Sequence, residues 1–115
     1  MNKNAFRLNP TKSSSPDVIY NKTILDNGIR VISETIPYVR SVTIGFWVNV
    51  GSRDETFDLN GITHFLEHMV FKGTKKYSAS QIAKRIEAYG GYLNAFTGKE
   101  NTCFYGKVLD KHLDK

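Results

Sequence analysis

The chain has 115 residues, a formal net charge of +5, 40% hydrophobic residues and nine glycines, enough for one globular domain of 13.0 kDa and too little for two. A single cysteine, Cys103, rules out an internal disulfide and fits a reducing compartment. The longest apolar stretch, Val42 to Val50, is too short and too interrupted to span a bilayer, and no basic cluster interleaved with aromatics suggests nucleic acid.

Residues 1–18 read as a flexible basic leader. Lys3, Arg7 and Lys12 precede the first acidic residue, Asp17, and no apolar h-region of a secretory signal is present. The composition has something of a mitochondrial presequence, but Pro10 and Pro16 break any long amphipathic helix. Next, Tyr20 to Leu25 and Ile29 to Ile36 flank Asp26-Asn27-Gly28, a tight-turn signal between two strands, and Pro37 ends the second strand. Ser41 to Val50 is β-rich and mostly apolar, which predicts a central strand buried on both faces. Ser52 to Asn60 predicts a polar loop, with Arg53, Asp54 and Glu55 solvated or salt-bridged rather than catalytic.

The segment that follows, His64-Phe65-Leu66-Glu67-His68, carries the chemistry. On a helix, residues four apart lie one turn from each other, so His64 and His68 can reach one metal ion from the same side. Glu67 projects beside them, within reach of a water held by that metal. Ile62, Phe65, Leu66, Met69 and Val70 fall on the opposite face, at the spacing of a stripe that packs into a core. Gly61 opens this helix and Gly73 stops it. The plainer alternative is a buried helix whose histidines only hydrogen-bond to neighbours; the segregation of the two faces argues against it.

A second helix is predicted over Ala79 to Tyr89. Ser78 and Gln81 form a capping box, Ala79, Ile82, Ala83, Ile86 and Tyr89 form the apolar stripe, and Gly90-Gly91 closes the helix. Tyr92 to Thr97 and Thr102 to Val108 read as paired strands, with Cys103 a small packed residue. Lys107 to Lys115 starts what reads as a helix with Asp110 as its N-cap, and on that ground the chain is read as the N-terminal piece of a longer protein. Hairpins mixed with helices, without regular βαβ crossovers, predict an α+β fold: two layers, helices packed on a largely antiparallel sheet.

His-x-x-Glu-His is the inverzincin order. The longer run Gly61-Ile-Thr-His-Phe-Leu-Glu-His-Met-Val-Phe-Lys-Gly-Thr74 resembles the pitrilysin-type (M16) zinc metallopeptidases. Leu25-Asp-Asn-Gly-Ile-Arg-Val31, Val50-Gly-Ser-Arg53, Gly90-Gly-Tyr-Leu-Asn-Ala-Phe-Thr97 and Glu100-Asn-Thr-Cys-Phe-Tyr105 extend the resemblance over roughly Tyr20 to Lys115. It implies a zinc-dependent metalloendopeptidase binding one Zn2+ per site, with His64 and His68 as ligands, Glu67 as general base, and residues 19–115 forming the first part of the peptidase domain. It also implies a third, glutamate ligand on a later helix. Of the acidic residues after His68, Glu87, Glu100, Asp110 and Asp114 are badly placed for it.

The same resemblance makes Asn94-Ala95-Phe96-Thr97 a substrate-binding strand, Asn94 and Ala95 at the cleft; an ordinary sheet strand with Asn94 capping a turn is the alternative. The implied partners are a peptide or protein substrate and a second homologous half, fused or supplied by a partner subunit, so the 115 residues alone should be inactive. The expected compartment is the bacterial cytoplasm or, alternatively, the mitochondrial matrix. Two rival readings are a noncatalytic relative serving as a structural or partner subunit, and a complete small metal-binding module; the intact His64, Glu67 and His68 argue against the first.

Overall fold

The computed structural model describes residues 19–114, so the basic leader lies outside the described residues. The chain divides into two compact units, with the boundary between Arg40 and Ser41.

In the first unit, β1 (Ile19–Ile24) pairs antiparallel with β2 (Arg30–Thr35), from Ile19 opposite Thr35 to Ile24 opposite Arg30. The predicted Asp26-Asn27-Gly28 turn closes this hairpin. Gly28 N–H donates to the Leu25 carbonyl at 2.9 Å, and the Asn27 side chain accepts from Ile29 N–H at 3.1 Å, the local bonding that favours Asn in turns.

The second unit holds a three-stranded antiparallel sheet in the order β3-β5-β4, with β3 Ser41–Val48, β4 Tyr92–Thr97 and β5 Thr102–Leu109. Between β3 and β4 the chain makes two 3-10 turns, Ser52–Asp54 and Phe57–Leu59, and two helices, α1 (Ile62–Val70) and α2 (Ala79–Glu87). The fold is α+β, as the mixture of hairpins and helices predicts. Ser78 caps α2 through the predicted box: its hydroxyl accepts from Gln81 N–H at 3.3 Å, and Gln81 Oε1 accepts from Ser78 N–H at 2.9 Å.

Three expectations are corrected. β3 lies at one edge of the three-stranded sheet and β5 is its centre, and β3 is largely exposed, Phe46 at 70% and Trp47 at 66%. Both helices contact β4. Strands stand about 4.8 Å apart and a helix is about 10 Å across, so helices seated over β4 leave the same face of β3, with Phe46, uncovered; Trp47, the next residue, belongs to the opposite face. The apolar stripe of α1 is not packed away among the described residues either: α1 meets β4 through Glu67, and Phe65, Leu66 and Val70 are each more than half exposed. The uncovered surfaces border an apolar cleft of about 580 Å3 whose lining includes Ile44, Phe46, Val70, Ile82, Ile86 and Leu93. Third, Asp110 is the first residue of a short 3-10 turn, Asp110–His112, with Leu109 at the cap position.

Packing is tightest at the start of β5, where Thr102 and Cys103 are 4% and 2% exposed. Burial pushes the Cys103 thiol above its ordinary range, which makes it a packed, unreactive group as read from the sequence. The Thr102 hydroxyl donates to the Val50 carbonyl at 2.9 Å, joining β5 to the chain leaving β3.

Candidate metal centre

The site is built on α1 and on the loop that enters it. Gly61 stands at the N-cap with φ of 89°, a left-handed conformation that costs glycine little and a side-chain-bearing residue more. A glycine has no side chain to cap the first turn, and Glu55 takes over that task. Its two carboxylate oxygens accept from Gly61 N–H at 2.7 Å and from Thr63 N–H at 2.9 Å. These bonds, the one from Gly61 first, hold the Glu55 carboxyl below the ordinary 4.5. A negative charge there also suits the positive end of the helix dipole.

One turn into α1, His64 and His68 present their rings side by side, with centroids 4.6 Å apart and Nε2 atoms 3.0 Å apart. Both residues are exposed. Two imidazole nitrogens bound to one zinc at about 2.0–2.1 Å, at a tetrahedral angle, stand about 3.3 Å from each other. The observed separation therefore fits two adjacent ligand positions with little ring movement. As it stands, it also suits a hydrogen bond between one protonated and one bare nitrogen. Among the described residues no group of three or more His, Cys, Asp or Glu converges on a common metal position, so the fit covers two ligands of a larger set.

Glu67 is half-buried beside them. Its Oε2 accepts a hydrogen bond from the Thr97 hydroxyl at 2.5 Å, across thirty positions of sequence. Thr97 is the last residue of β4. The structure thus brings Thr97, one of the four residues of the predicted substrate strand, to the carboxylate of the predicted base.

The other three residues of that strand are placed differently. Asn94 Oδ1 accepts from Ala95 N–H at 2.8 Å, Ala95 is half-buried, and Phe96 stacks edge-on against Trp47 with centroids 5.5 Å apart. β4 pairs with β5 on one side and forms the edge of the sheet on the other. Phe71 lines the apolar cleft.

Segment 50–55 ties the two halves of this site together. Ser52 N–H donates to the Gly98 carbonyl at 3.1 Å and Arg53 N–H to the Lys99 carbonyl at 2.8 Å, while the Arg53 guanidinium pairs with Glu100. Asp54 Oδ2 accepts from Gly51 N–H at 2.9 Å. Gly51 is buried against the β4–β5 turn, so close that a Cβ there would lie 2.5 Å from the Lys99 carbonyl carbon. Two contacts escape a reading of the sequence alone: the capping of α1 by Glu55, and the bond from Thr97, which is read only as part of the substrate strand, to Glu67. Glu55 carries a signal, an acidic residue shortly before a helix that begins with glycine. Thr97 carries none, because nothing in one dimension links it to Glu67.

Comparison with known proteins places the chain in context. The family described as insulinase (peptidase family M16) matches residues 30–115. An uncharacterized zinc protease of Streptomyces coelicolor is 58% identical over 92 residues, which cover 80% of this chain and 20% of the relative. The uncharacterized zinc protease YmxG of Bacillus subtilis is 58% identical over 86 residues, 75% of this chain and 21% of the relative. The mitochondrial-processing peptidase subunit beta of Neurospora crassa is 42% identical over 113 residues, 97% of this chain and 24% of the relative. The chain thus spans about a fifth of the length of the curated relatives it matches.

Proposed function

The chain belongs to peptidase family M16, and from that premise we propose that it carries the zinc-binding helix of a metalloendopeptidase, with His64 and His68 as zinc ligands and Glu67 as general base. The observation that carries the reading is the 3.0 Å approach of the two Nε2 atoms on an exposed helix face, with Glu67 on the intervening turn. The names of the relatives, zinc proteases among them, support it.

Zinc bound there would supply Lewis acidity, polarising a peptide carbonyl and allowing water to act as a nucleophile near neutral pH. The chain's own residues do the rest. His64 and His68 present neutral nitrogens as donors, and the helix fixes their spacing. Glu67 accepts a proton from the attacking water and returns it to the departing amide nitrogen. β4 receives the substrate as an added strand along its open edge, with the Ala95 N–H now held by Asn94 released to the incoming peptide. That contact reads backbone rather than side chains, so it gives affinity with little sequence preference.

Residues 19–115 are the first part of the peptidase domain in this reading. The described residues bring together two metal donors, so a third ligand comes from elsewhere, and a second homologous half, fused or as a partner subunit, completes the enclosure of substrate. The 115-residue chain alone is therefore inactive. A bacterial cytoplasmic setting, or a mitochondrial one, agrees with the sources of the relatives. The test is Glu67→Gln in the intact protein. Zinc content stays at the wild-type level while peptide turnover falls by about 10²- to 10⁴-fold, the range of a lost general base. Unchanged turnover removes Glu67 from that role.

A further inference from the structure

We infer that Thr97 is a positioning residue: its hydroxyl, donated to Glu67 Oε2, holds the general base in its working rotamer, and segment 50–55 sets the distance between them. The inference rests on the assignment of Glu67 above and deepens it.

A glutamate on an exposed helix face swings through several rotamers, most of which carry its carboxylate away from the neighbouring imidazoles. Here one oxygen is taken by Thr97 at 2.5 Å, which leaves Oε1 as the proton acceptor. Threonine suits the task because branching at Cβ restricts its first torsion, so the strand backbone dictates where the hydroxyl sits. That backbone is itself fixed. Thr97 stands opposite Thr102, which is almost fully buried and bonded to the Val50 carbonyl. One residue on, Gly98 N–H donates to the Asn101 carbonyl at 2.7 Å, and the Gly98 and Lys99 carbonyls accept from Ser52 and Arg53.

The other partner is fixed from the same segment. Glu55, two residues after Arg53, which grips the β4–β5 turn, binds the first turn of α1, and Glu67 lies on the next turn of that helix. Six residues of chain, 50–55, therefore hold both the strand that carries the donor and the helix that carries the acceptor. Thr97 does not touch the reacting atoms in this account; it acts through Glu67.

The experiment compares Thr97→Val, Thr97→Ser and Glu67→Gln in the intact protein, with a random-sequence mixture of internally quenched fluorescent peptides as probe. Thr97→Val, which keeps the shape and removes the hydroxyl, is expected to lower kcat by about 10- to 100-fold with KM and zinc content unchanged, the scale of losing a group that orients a reacting one. Thr97→Ser restores most of that loss. Wild-type kcat in Thr97→Val, or Thr97→Ser as slow as Thr97→Val, overturns the inference. Glu67→Gln separates the layers: if it abolishes turnover while Thr97→Val keeps the wild-type kcat, the base assignment stands and the positioning role falls. If it retains turnover, the base assignment falls.

A second arm needs no activity. In metal-free protein, unfolding midpoints of Thr97→Val, Glu67→Gln and the double variant report the bond directly. The double variant is expected to shift no further than the larger single shift, whereas shifts that simply add overturn the inference.

Discussion

On one side of α1, Glu67 is bonded to Thr97, the imidazoles of His64 and His68 stand 3.0 Å apart at Nε2, and Glu55 caps the first turn; on the other, Phe65, Leu66 and Val70 are each more than half exposed. The difference is one of range. Polar geometry is set by directed bonds over a few ångströms, so one segment of loop, one helix and the end of one strand suffice to build it. Apolar burial is non-directional and proportional to area, and closing it over a helix stripe and a sheet face requires whole elements stacked as layers. On the polar side, the bonds of Glu67 and Glu55 and the approach of the two imidazoles are made within the described residues, which supply two metal donors; the apolar side is not covered by them.

This contrast can be broken at several points. The largest effect is expected on the polar side. His68→Ala or His64→Ala removes one of two converging nitrogen donors, and each is expected to lose tight zinc binding altogether; stoichiometric zinc retained by either variant, measured by elemental analysis, refutes that residue as a ligand. Next comes Gly51→Ala, where the new Cβ meets the backbone of the β4–β5 turn. Relief of that overlap is expected to cost about 1–3 kcal/mol in chemical denaturation. It should also slow turnover, since the same turn seats Thr97.

A smaller effect, with a pH signature, is expected at Glu55. Its folded-state pKa lies below the ordinary 4.5 because the helix N–H groups favour the charged form. A depressed folded-state value means the stabilisation is fully present above the unfolded-state range and fades as pH falls through the folded-state value. Glu55→Gln should therefore be less stable than wild type at neutral pH, with the gap narrowing below pH 4.5. A gap that widens on acidification contradicts the capping role.

The smallest effect is expected on the apolar side of the 115-residue chain. Leu66→Ser, at a side chain 55% exposed, should shift stability by no more than about 0.5 kcal/mol, as for other surface positions. A loss of several kcal/mol would mean that the stripe is covered, and the contrast between the two sides would disappear.

What the sequence made legible follows the same division. The Asp26-Asn27-Gly28 hairpin, the Ser78–Gln81 capping box and the facing imidazoles of His64 and His68 are local features, each fixed by partners within four residues or by a single tight turn. All three stand in the structure as expected. The α+β class follows from the order of such local elements. The position of β3 was less legible, because a continuous apolar run suits an edge strand awaiting cover as well as a central strand already covered. Asp110 has the side chain of an N-cap but sits one residue inside its turn, a shift that a cap signal alone does not resolve. Least legible were the bonds from Thr97 to Glu67 and from segment 50–55 to the β4–β5 turn, which join residues thirty or more positions apart and leave no periodic trace.

The most direct test of the central claim, that the polar side of α1 is a zinc-dependent hydrolytic site, is metal removal and return in the intact protein with the peptide mixture as probe. Chelation is expected to abolish turnover, and one equivalent of zinc per chain to restore it in wild type but not in His68→Ala. Turnover that survives complete removal of the metal, or that zinc restores equally well in His68→Ala, would contradict the account.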